Sequence, residues 1–475
     1  MYKSILLIVF CLAGLSLTAQ KTKVKTSPST AEIKVPMKAD SWDFPAGSVE
    51  FLTYKNVAAM KISAQGKKAT IKGLTFADGT IEFDVEPILP GFAQSIYFHR
   101  KDDNEQEIVY LRLGSIGNKL ANEGIQYTPY FAGINMWDMY PRYQGPAPTV
   151  KDNWNHFKLV ISGKQMRVYM NDQARPVLEI PKLEGNLAEG SIAFEGTSYI
   201  ANVVVKPNAT EGLPRTEGLD LTNHDANYLR HWVMSTPVDL PDGSEASASK
   251  IPGAEHFTES IKAEREGFIN LTRRWGGNEN RKVIWLKTKI FTKQAVKTNL
   301  QLGFSDEVWV FLNSQTIHVD KNLYIQNMRK YPGGRMSIEN STISLNLKEG
   351  ENELMIAVAN DFYGWGIVAR LTSTESITDI DNVQSILDLA KEIATLDPAP
   401  YVGVYTNRDL PLTLTFTRKE KALQVQANGP NPVEVQPLGG HRFQFAAEGA
   451  VFEFKPGEKK MILKQGGEQR EFVKD

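Results

Sequence analysis

The sequence predicts an all-β protein of several modules with one substantial helix. Short runs that alternate apolar and polar residues, separated by Gly, Asn, Asp and Pro, recur from residue 31 almost to the end of the chain. Such runs are typical of half-exposed antiparallel strands. Apolar residues fall at helical spacing in one stretch, residues 378–396. A length of 475 residues suggests about three domains.

The overall charge is nearly balanced, with 54 Lys and Arg residues against 55 Asp and Glu residues. The resulting net charge of -1 gives no field that would attract nucleic acid or an anionic membrane, so we expect neither partner. The hydrophobic content of 41% is typical of globular proteins with sizeable cores.

The N-terminus has the pattern of a secretory signal peptide. A positive start precedes an apolar run over residues 4–17 and a small-residue cleavage site, which we place after Ala19. We predict a signal peptide over residues 1–19, a disordered lead-in over 20–30, and a secreted bacterial protein of the periplasm, the cell surface or the medium. Cys11, the only cysteine, lies inside the signal peptide behind Phe10, which argues against a lipoprotein. No later run is apolar enough to span a membrane.

Residues 31–207 form the first predicted module. The predicted strands cover residues 69–72, 80–86, 95–99, 107–113, 157–162, 165–170, 177–180 and 191–194. The segments FADGTIEFDVEP, YFHRKDDNEQEIVYLRL, WNHFKLVISGKQMRVYMND and GSIAFEGTSYIANVVV resemble successive strands of a concanavalin A-like lectin/glucanase domain. The resemblance is closest to the branch that holds the 3-keto-disaccharide hydrolase-like domains of secreted bacterial proteins, and it implies a jelly-roll sandwich.

The rest of the chain is predicted as a linker (208–218), a second sandwich (219–373), a helical connector (374–399) and a small β-barrel (400–475). The segments LGFSDEVWVFLNSQTIHV and ISLNLKEGENELMIAVANDFYGWGIVARL of the second sandwich resemble a galactose-binding-like jelly roll, with Trp309 and Phe311 on one face. The alternating strands after Tyr401 resemble the accessory barrel at the C-terminus of secreted bacterial serine hydrolases of the β-lactamase type.

The stretch between Tyr97 and Tyr143 combines more aromatic rings with charged and amide side chains than any other part of the chain. Rings that cover the apolar faces of sugars, with polar groups at the hydroxyls, are typical of carbohydrate sites, and we predict an oligo- or polysaccharide ligand. The candidate ligand-binding residues are His99, Arg100, Tyr127, Tyr130, Trp137, Tyr140 and Arg142. The alternative is a long, well-packed loop, because buried Tyr and Trp also need polar neighbours.

The segment Glu82-Phe83-Asp84-Val85-Glu86 matches the E-x-D-x-E strand of jelly-roll glucanases. Period-two spacing places its three carboxylates on one face. The resemblance implies that one of Glu82 and Glu86 is the nucleophile and the other is the general acid. The flanking residues differ from that pattern, since the tryptophans of the glucanase strand are missing and Pro87 follows. The alternative is an exposed strand with a polar outer face.

Several smaller motifs have structural alternatives. Ser247–Lys250 matches S-x-x-K without the other parts of a serine hydrolase site, and we interpret His224 and His231 as structural. The loops Trp275-Gly276-Gly277-Asn278 and Tyr363-Gly364-Trp365-Gly366 are either a second sugar platform or, for Trp365, part of the core. No cofactor is predicted, and the sequence leaves a structural Ca²⁺ open because carbonyl ligands have no sequence pattern.

Three functions follow as hypotheses. The first is carbohydrate recognition, which a shallow ring-lined groove would favour. The second is glycoside cleavage, which paired carboxylates in a cleft would favour, with Asp102 and Glu107 as further acid/base candidates. The third is protein interaction at the cell surface, which would be favoured if the next module fills the ring-rich site.

Overall fold

The computed structural model describes residues 31–475 except positions 64, 173, 278–279, 325–326, 381 and 430, and nearly all of its regular structure is β. This confirms the predicted all-β class. The predicted signal peptide and lead-in lie outside the described residues.

The first sandwich consists of two eight-stranded sheets around one apolar core. Its strands are β1 (Ile33–Lys34), β2 (Trp42–Asp43), β3 (Val49–Tyr54), β4 (Val57–Ile62), β5 (Ala69–Ile71), β6 (Gly79–Pro87), β7 (Ala93–Arg100), β8 (Gln106–Arg112), β9 (Ile125–Phe131), β10 (Ile134–Asn135), β11 (Gln144–Gly145), β12 (Asn155–Ser162), β13 (Gln165–Met170), β14 (Leu178–Ile180), β15 (Ser191–Glu195) and β16 (Ser198–Pro207). One sheet has the order β14-β13-β12-β6-β16-β4-β3, with β1 beside β16, and we call it sheet A. The other, sheet B, has the order β10-β9-β8-β7-β15-β5-β2, with β11 beside β9.

Alternation along the strands sets the two faces of each sheet. In β7, Ile96 and Phe98 enter the central core, whereas Tyr97 between them belongs to a separate cluster on the outer face of sheet B. Part of the ring-rich stretch is not a loop. Its residues Ile125–Phe131 form a strand that pairs with β8 over six residues. Period-two alternation of Ile125, Tyr127 and Phe131, all buried in the core, is the signal for that strand.

The second sandwich packs an eight-stranded sheet on a four-stranded sheet. Its strands are β17 (His231–Met234), β18 (Val238–Asp239), β19 (Glu259–Lys262), β20 (Phe268–Asn270), β21 (Lys282–Thr292), β22 (Val296–Ser305), β23 (Glu307–Leu312), β24 (Gln315–Lys321), β25 (Ser341–Leu347), β26 (Gly350–Ala359), β27 (Gly366–Leu371) and β28 (Ile377–Asp379). A short helix, α1 (Leu271–Trp275), follows β20. Trp309 and Phe311 lie in one buried cluster as predicted.

One ring of the aromatic loops in the second sandwich, that of Trp365, is part of the core, as the structural alternative expects. Trp365 is fully buried in the core, and its Nε1 donates to the carbonyl of Gly276 at 2.9 Å. Asn278 of the other loop lies outside the described residues. His231 is part of β17 rather than of a loop.

The helix in the structure is shorter than the predicted stretch of residues 378–396. It spans α2 (Gln384–Ala394), because residues 377–379 instead form β28 and pair with β21. Ile386, Ala390 and Ile393 are its buried residues, at helical spacing. No helix within the described ranges is long and apolar enough to cross a membrane.

The C-terminal strands close into an eight-stranded barrel. They are β29 (Gly403–Thr406), β30 (Thr413–Lys419), β31 (Ala422–Gln426), β32 (Val433–Gly439), β33 (Arg442–Phe445), β34 (Ala450–Lys455), β35 (Lys460–Gln465) and β36 (Glu468–Lys474). The sequence pattern predicts the first seven. The eighth, β36, closes the barrel by pairing with β29 and buries only Phe472 completely among its seven residues, which is why its alternation is weak.

Candidate functional site

The structure distributes the predicted site residues over three places. Glu82 and Glu86 lie on the outer face of sheet A. His99, Tyr127, Tyr140 and Arg142 belong to a polar network that is buried between the first and second sandwiches. Arg100, Tyr130 and Trp137 lie at the outer face of sheet B, beside aromatic residues of the second sandwich.

The carboxylates of the E-x-D-x-E segment form a ladder of separate ion pairs on β6. Glu82 contacts the ammonium of Lys206 at 2.9 Å. Glu86 accepts from the Tyr54 hydroxyl at 2.9 Å and from the ammonium of Lys55 at 2.7 Å. Each glutamate therefore has its own basic partner on this face, and catalysis by this pair stays a prediction.

Between them, Asp84 pairs with His156 Nδ1 at 2.7 Å and accepts from Asn202 Nδ2 at 2.7 Å. Burial alone would raise the pKa of the Asp84 carboxyl, but these hydrogen bonds outweigh it and lower the pKa. Asp84 also raises the pKa of the partly exposed His156 imidazole. The ladder has the character of a salt-bridged strand face.

The buried polar network starts at His99, whose ring is almost completely inaccessible to solvent. Its Nδ1 lies 2.8 Å from Glu107 Oε1 and its Nε2 lies 2.8 Å from the carbonyl oxygen of Ala77. A carbonyl oxygen only accepts, so Nε2 donates to Ala77, and Nδ1 faces the Glu107 carboxyl group. Burial disfavours the charged imidazole, yet hydrogen bonding and charge interaction with Glu107 raise the pKa of His99 overall, which favours its positively charged form.

Glu107 connects this pair to Tyr127. The Tyr127 hydroxyl donates to Glu107 Oε2 and accepts from the backbone N–H of Glu184 at 2.7 Å. Burial raises the pKa of Tyr127 far above its ordinary value, so the phenol stays neutral. Both hydrogen-bonding positions of the hydroxyl are thus used within the protein.

The network continues from the Glu184 side chain toward the second sandwich. Glu184 Oε1 accepts from the Tyr143 hydroxyl at 2.8 Å and lies 3.4 Å from Arg142 Nη2. Arg142 also pairs with Glu266 of the second sandwich at 3.2 Å. Burial raises the pKa of Glu184. Arg142 therefore stands between carboxylates of two modules.

Tyr140 and Arg273 complete the contact between the sandwiches. The Tyr140 hydroxyl lies 3.4 Å from Glu264 Oε2, and its ring meets Phe268 edge to face at 5.6 Å. Arg273 pairs with Glu264 at 2.6 Å, donates to the carbonyl of Glu184 at 2.9 Å, and covers the ring of Phe131 at 4.0 Å. The second sandwich thus covers the Tyr140 ring that the sequence offers to a sugar.

The second group of residues lies on the outer face of sheet B, where aromatic rings of the two sandwiches meet, and we call this place the aromatic cleft. Its floor is Tyr97 and its neighbours Ala193 and Ile108, with Tyr130, Tyr324 and Phe362 packed beside them. The Tyr97 hydroxyl donates to Glu195 Oε2 at 2.8 Å. Burial and the adjacent Glu195 raise the pKa of Tyr97, so this hydroxyl stays protonated.

Charged side chains line one side of the aromatic cleft. The ammonium of Lys68 lies 2.8 Å from Asp103 and 3.4 Å from Glu195, over the ring of Tyr97 at 4.6 Å. Arg100 extends the row through Asp103 at 3.0 Å. Lys68 and Arg100 lower the pKa of Asp103, whose carboxylate is 71% exposed. The row presents ionised donors and acceptors at the edge of the cleft.

Tyr130 and Asn135 form the adjacent edge. Asn135 Nδ2 donates to the Tyr130 hydroxyl at 3.2 Å, while Asn135 Oδ1 is buried without a hydrogen-bond partner. Burial, with a smaller contribution from Glu195, raises the pKa of Tyr130 to about 12. A buried amide oxygen without a donor is costly, so this edge keeps an acceptor whose hydrogen-bonding capacity the protein does not use.

The second sandwich supplies the opposite wall. Trp137 packs edge to face on Tyr324 at 4.8 Å and on Tyr363 at 5.9 Å, and Phe362 stacks with Tyr324 at 5.8 Å. Arg335 lies over the Trp137 ring at 5.0 Å. Trp137 is 8% exposed, whereas Tyr363 is 42% exposed, so Tyr363 is the ring of this wall that a ligand can reach.

Two buried carboxyls hold that wall in place. Asp306 accepts the backbone N–H groups of Asp361 at 2.5 Å and Phe362 at 2.7 Å. Burial raises the pKa of Asp306 to about 7. Asp138, next to Trp137, is also buried, and burial together with Asp306 raises its pKa. Gly364, which follows Tyr363 in this wall, has no room for a side chain, since a Cβ there would lie 2.4 Å from Met139 Cγ.

The sequence analysis did not single out Tyr97, Lys68 or Glu195 as site residues. The alternation of β7 contains a signal for Tyr97, because this residue stands between the core residues Ile96 and Phe98. Glu195 follows the core residue Phe194 at the end of β15. The contact with Tyr363 has no sequence signal, since more than two hundred positions separate it from β9.

Within the described ranges, no group of three or more His, Cys, Asp or Glu side chains is arranged to hold a metal ion. Lys250 of the S-x-x-K motif donates to the carbonyl of Glu245 at 2.9 Å, and Ser247 contacts Ser249. This arrangement is that of a loop rather than of an activated nucleophile.

No protein-family model and no curated protein matches this chain. Among solved structures, the chain is similar to the carbohydrate-binding module CBM66 from Bacillus subtilis, with 14% identity over 35% of this chain and 95% of that chain and a TM-score of 0.26. It is also similar to a putative glycosyl hydrolase from Parabacteroides distasonis, with 10% identity over 37% of this chain and 99% of that chain and a TM-score of 0.27.

A third similar structure is domain 4 of an extracellular arabinanase from Geobacillus stearothermophilus in complex with arabinotriose, with 13% identity, coverages of 37% and 82%, and a TM-score of 0.24. The structural neighbours are therefore carbohydrate-binding modules and glycosyl hydrolase-like folds. At these identities and TM-scores they do not bear on the ligand or chemistry of this chain, and the finer family resemblances of its three modules stay predictions.

Proposed function

We propose that this chain is a secreted carbohydrate-binding protein whose aromatic cleft holds a short stretch of a neutral oligo- or polysaccharide. The observation that carries the proposal is the meeting of two tyrosines from different sandwiches, the partly buried Tyr130 and the exposed Tyr363, beside a row of charged and amide groups. Sugars combine apolar faces with many hydroxyls, and this cleft offers both kinds of partner. Of the predicted residues, Arg100, Tyr130 and Trp137 belong to it.

The polar side of the cleft suits hydroxyl groups rather than a net charge. Lys68 and Arg100 donate, whereas Asp103 and Glu195 accept, and these charges balance one another. Asn135 Oδ1 adds an acceptor that lacks a donor. A neutral, polyhydroxylated ligand therefore satisfies the cleft without leaving an unpaired charge.

The cleft is tested by the variant Tyr363→Ala in the mature full-length chain. Isothermal titration calorimetry against a panel of neutral oligosaccharides is expected to find a binder, and removal of the accessible ring is expected to weaken its binding at least tenfold, about 1.4 kcal/mol. Tyr199→Ala is the matched control, because Tyr199 lies on the opposite face of the first sandwich, stacked on Tyr54 at 3.7 Å. Equal losses in both variants, or no binder in the panel, would contradict the proposal.

Glycoside cleavage is the second candidate, and one observation favours it. Asp103 and Glu195 both contact Lys68 Nζ, at 2.8 and 3.4 Å, so the contacting carboxylate oxygens lie within about 6 Å of each other. Retaining glycosidases place two carboxyl groups about 5–5.5 Å apart. Because the pKa of Asp103 is lowered, Asp103 suits the base or nucleophile, and Glu195 is the second carboxyl group of the pair.

Products measured by mass spectrometry separate the two candidates. Release of sugars from polysaccharides or keto-disaccharides, abolished in Glu195→Gln, would establish cleavage. Binding without products in the wild type supports recognition alone. The variant Glu50→Gln serves as the control, since Glu50 is an exposed residue of β3 in the other sheet.

A further inference from the structure

A second cavity, of about 360 Å³, lies where the first sandwich, the linker and the second sandwich meet. Its volume falls in the range of about 300–1,000 Å³ that is usual for small-molecule sites. It is lined by Lys182, Glu217, Asp220, Asn223, Arg230, His231, Lys262, Ala263, Glu264 and Arg265. This cavity is separate from the aromatic cleft, and none of the predicted sugar-binding residues lines it.

Every carboxylate of this cavity already has partners in the protein. Glu217 pairs with Lys182 at 3.5 Å, and Glu264 pairs with Arg273 at 2.6 Å. Asp220 accepts the backbone N–H groups of Thr222 at 2.9 Å and Glu266 at 3.0 Å. These hydrogen bonds outweigh the effect of burial and lower the pKa of Asp220. All three acids are therefore held by partners within the protein.

The cations of the cavity are not neutralised to the same extent. Arg230 donates to the carbonyl of Thr222 at 2.5 Å and Arg265 to the carbonyl of Gly218 at 2.8 Å, and carbonyl oxygens carry no formal charge. The closest ion pair of Arg265 within the described ranges is with Glu266, at 3.9 Å, Asp220 acts on it through charge alone, and Arg265 Nε is buried without a partner. Lys262 is exposed at the rim, and none of the described carboxylates pairs with its ammonium or with Arg230.

A cavity with an excess of cations beside several held carboxylates is suited to one kind of ligand. The cations attract a negative group, while the carboxylates of Glu217 and Glu264 accept hydrogen bonds from hydroxyls. A bare inorganic anion would meet the cations but would be repelled by the acids. An acidic sugar satisfies both halves of the lining.

We propose that this interdomain cavity binds the carboxylate-bearing unit of an acidic saccharide. It would add a charged subsite to a protein whose aromatic cleft suits neutral sugars. Because three segments of the chain line the cavity, the ligand would also bridge the two sandwiches.

The test is isothermal titration calorimetry of the full mature chain with sodium galacturonate at low ionic strength, with galactose as the neutral counterpart. The titrations are made in Tyr363→Ala, in which the aromatic cleft is impaired, so that a neutral sugar held in the cleft does not contribute. In this variant galacturonate is expected to bind and galactose is not. The variant Lys262→Glu is expected to lower the affinity for galacturonate at least tenfold. Lys297→Glu makes the same charge change on an exposed strand residue of the same sandwich and is expected to have no effect.

Three results would overturn the proposal: equal binding of galactose, retained binding in Lys262→Glu, or sulfate binding as tightly as galacturonate. The last would make the cavity an inorganic-anion site. Tyr363→Ala, which tests the aromatic cleft, is expected to leave galacturonate binding unchanged. The failure of one proposal is thus distinguishable from the failure of the other.

Discussion

The buried polar network and the aromatic cleft are built from the same kinds of side chain, yet they differ in access. In the network, Tyr127 is fully buried and its hydroxyl both donates and accepts within the protein. In the cleft, Tyr363 is 42% exposed and Asn135 Oδ1 has no donor. Rings beside polar groups therefore mark a binding site only where some of their surface and hydrogen-bonding capacity is left over.

The difference leads to opposite expectations for mutation. Mutations in the network should lower the free energy of unfolding and should have little direct effect on ligand affinity. Residues of the cleft should matter for affinity and little for unfolding. Each prediction below tests one side of this comparison.

The largest effect on stability is expected for Glu107→Ala. It would leave the His99 imidazole without its buried counter-charge and the Tyr127 hydroxyl without its acceptor. Breaking a buried ion pair by removing one partner typically costs about 3–5 kcal/mol. Urea denaturation followed by tryptophan fluorescence measures the loss.

The matched control is Asp84→Ala, which breaks the partly exposed pair with His156. Pairs of this kind contribute about 1 kcal/mol or less, so the control should remain close to the wild type. If Glu107→Ala unfolded at the same urea concentration as Asp84→Ala, the network would not be the structural element that we describe.

An effect of similar size, spread over the range from pH 4 to 7, is expected from pH at the wall of the cleft. The pKa of Asp306 is about 7 in the folded protein, above its ordinary value of 3.8. The folded state therefore holds a proton that the unfolded chain releases near pH 4. Stability from this group is complete below pH 4 and declines as the pH rises toward 7, by up to about 1.4 kcal/mol per pH unit.

The variant Asp306→Asn keeps an oxygen for the N–H groups of Asp361 and Phe362 but does not titrate. It is expected to flatten the decline between pH 4 and 7, leaving the part due to Asp138, whose pKa is raised as well. Unfolding midpoints at half-unit steps of pH measure the slope. An unchanged slope in Asp306→Asn would place the titration elsewhere.

The sequence was sufficient for local structure and insufficient for pairing between modules. Alternation located β6, β7 and β12 because neighbouring residues on a strand face opposite sides, which is a local property. The helix was predicted too long because β28 pairs with β21, at a distance of about ninety positions along the chain. Such pairing has no local pattern.

Contacts between distant parts of the chain also explain why only some of the predicted site residues border the aromatic cleft. The ring-rich stretch was found as a functional candidate from its composition, and the structure divides it between two surfaces. Tyr140 and Arg142 meet the second sandwich through Phe268 and Glu266, and the sequence does not show which rings a later module covers. Only Tyr130, Arg100 and Trp137 of the candidates border the cleft, and the accessible Tyr363 comes from the later module.

The smallest effect on stability is expected for Tyr363→Ala. An exposed side chain loses little burial on truncation, and surface substitutions usually change the free energy of unfolding by about 0.5 kcal/mol or less. The contact of its ring with Trp137 at 5.9 Å and with Phe362 at 4.4 Å raises the expected cost toward about 1 kcal/mol. Urea denaturation measures it with the same protein preparations as for Glu107→Ala. A loss as large as that of Glu107→Ala would show that Tyr363 holds the two sandwiches together, and weaker sugar binding in the variant would then no longer assign the ring to the ligand.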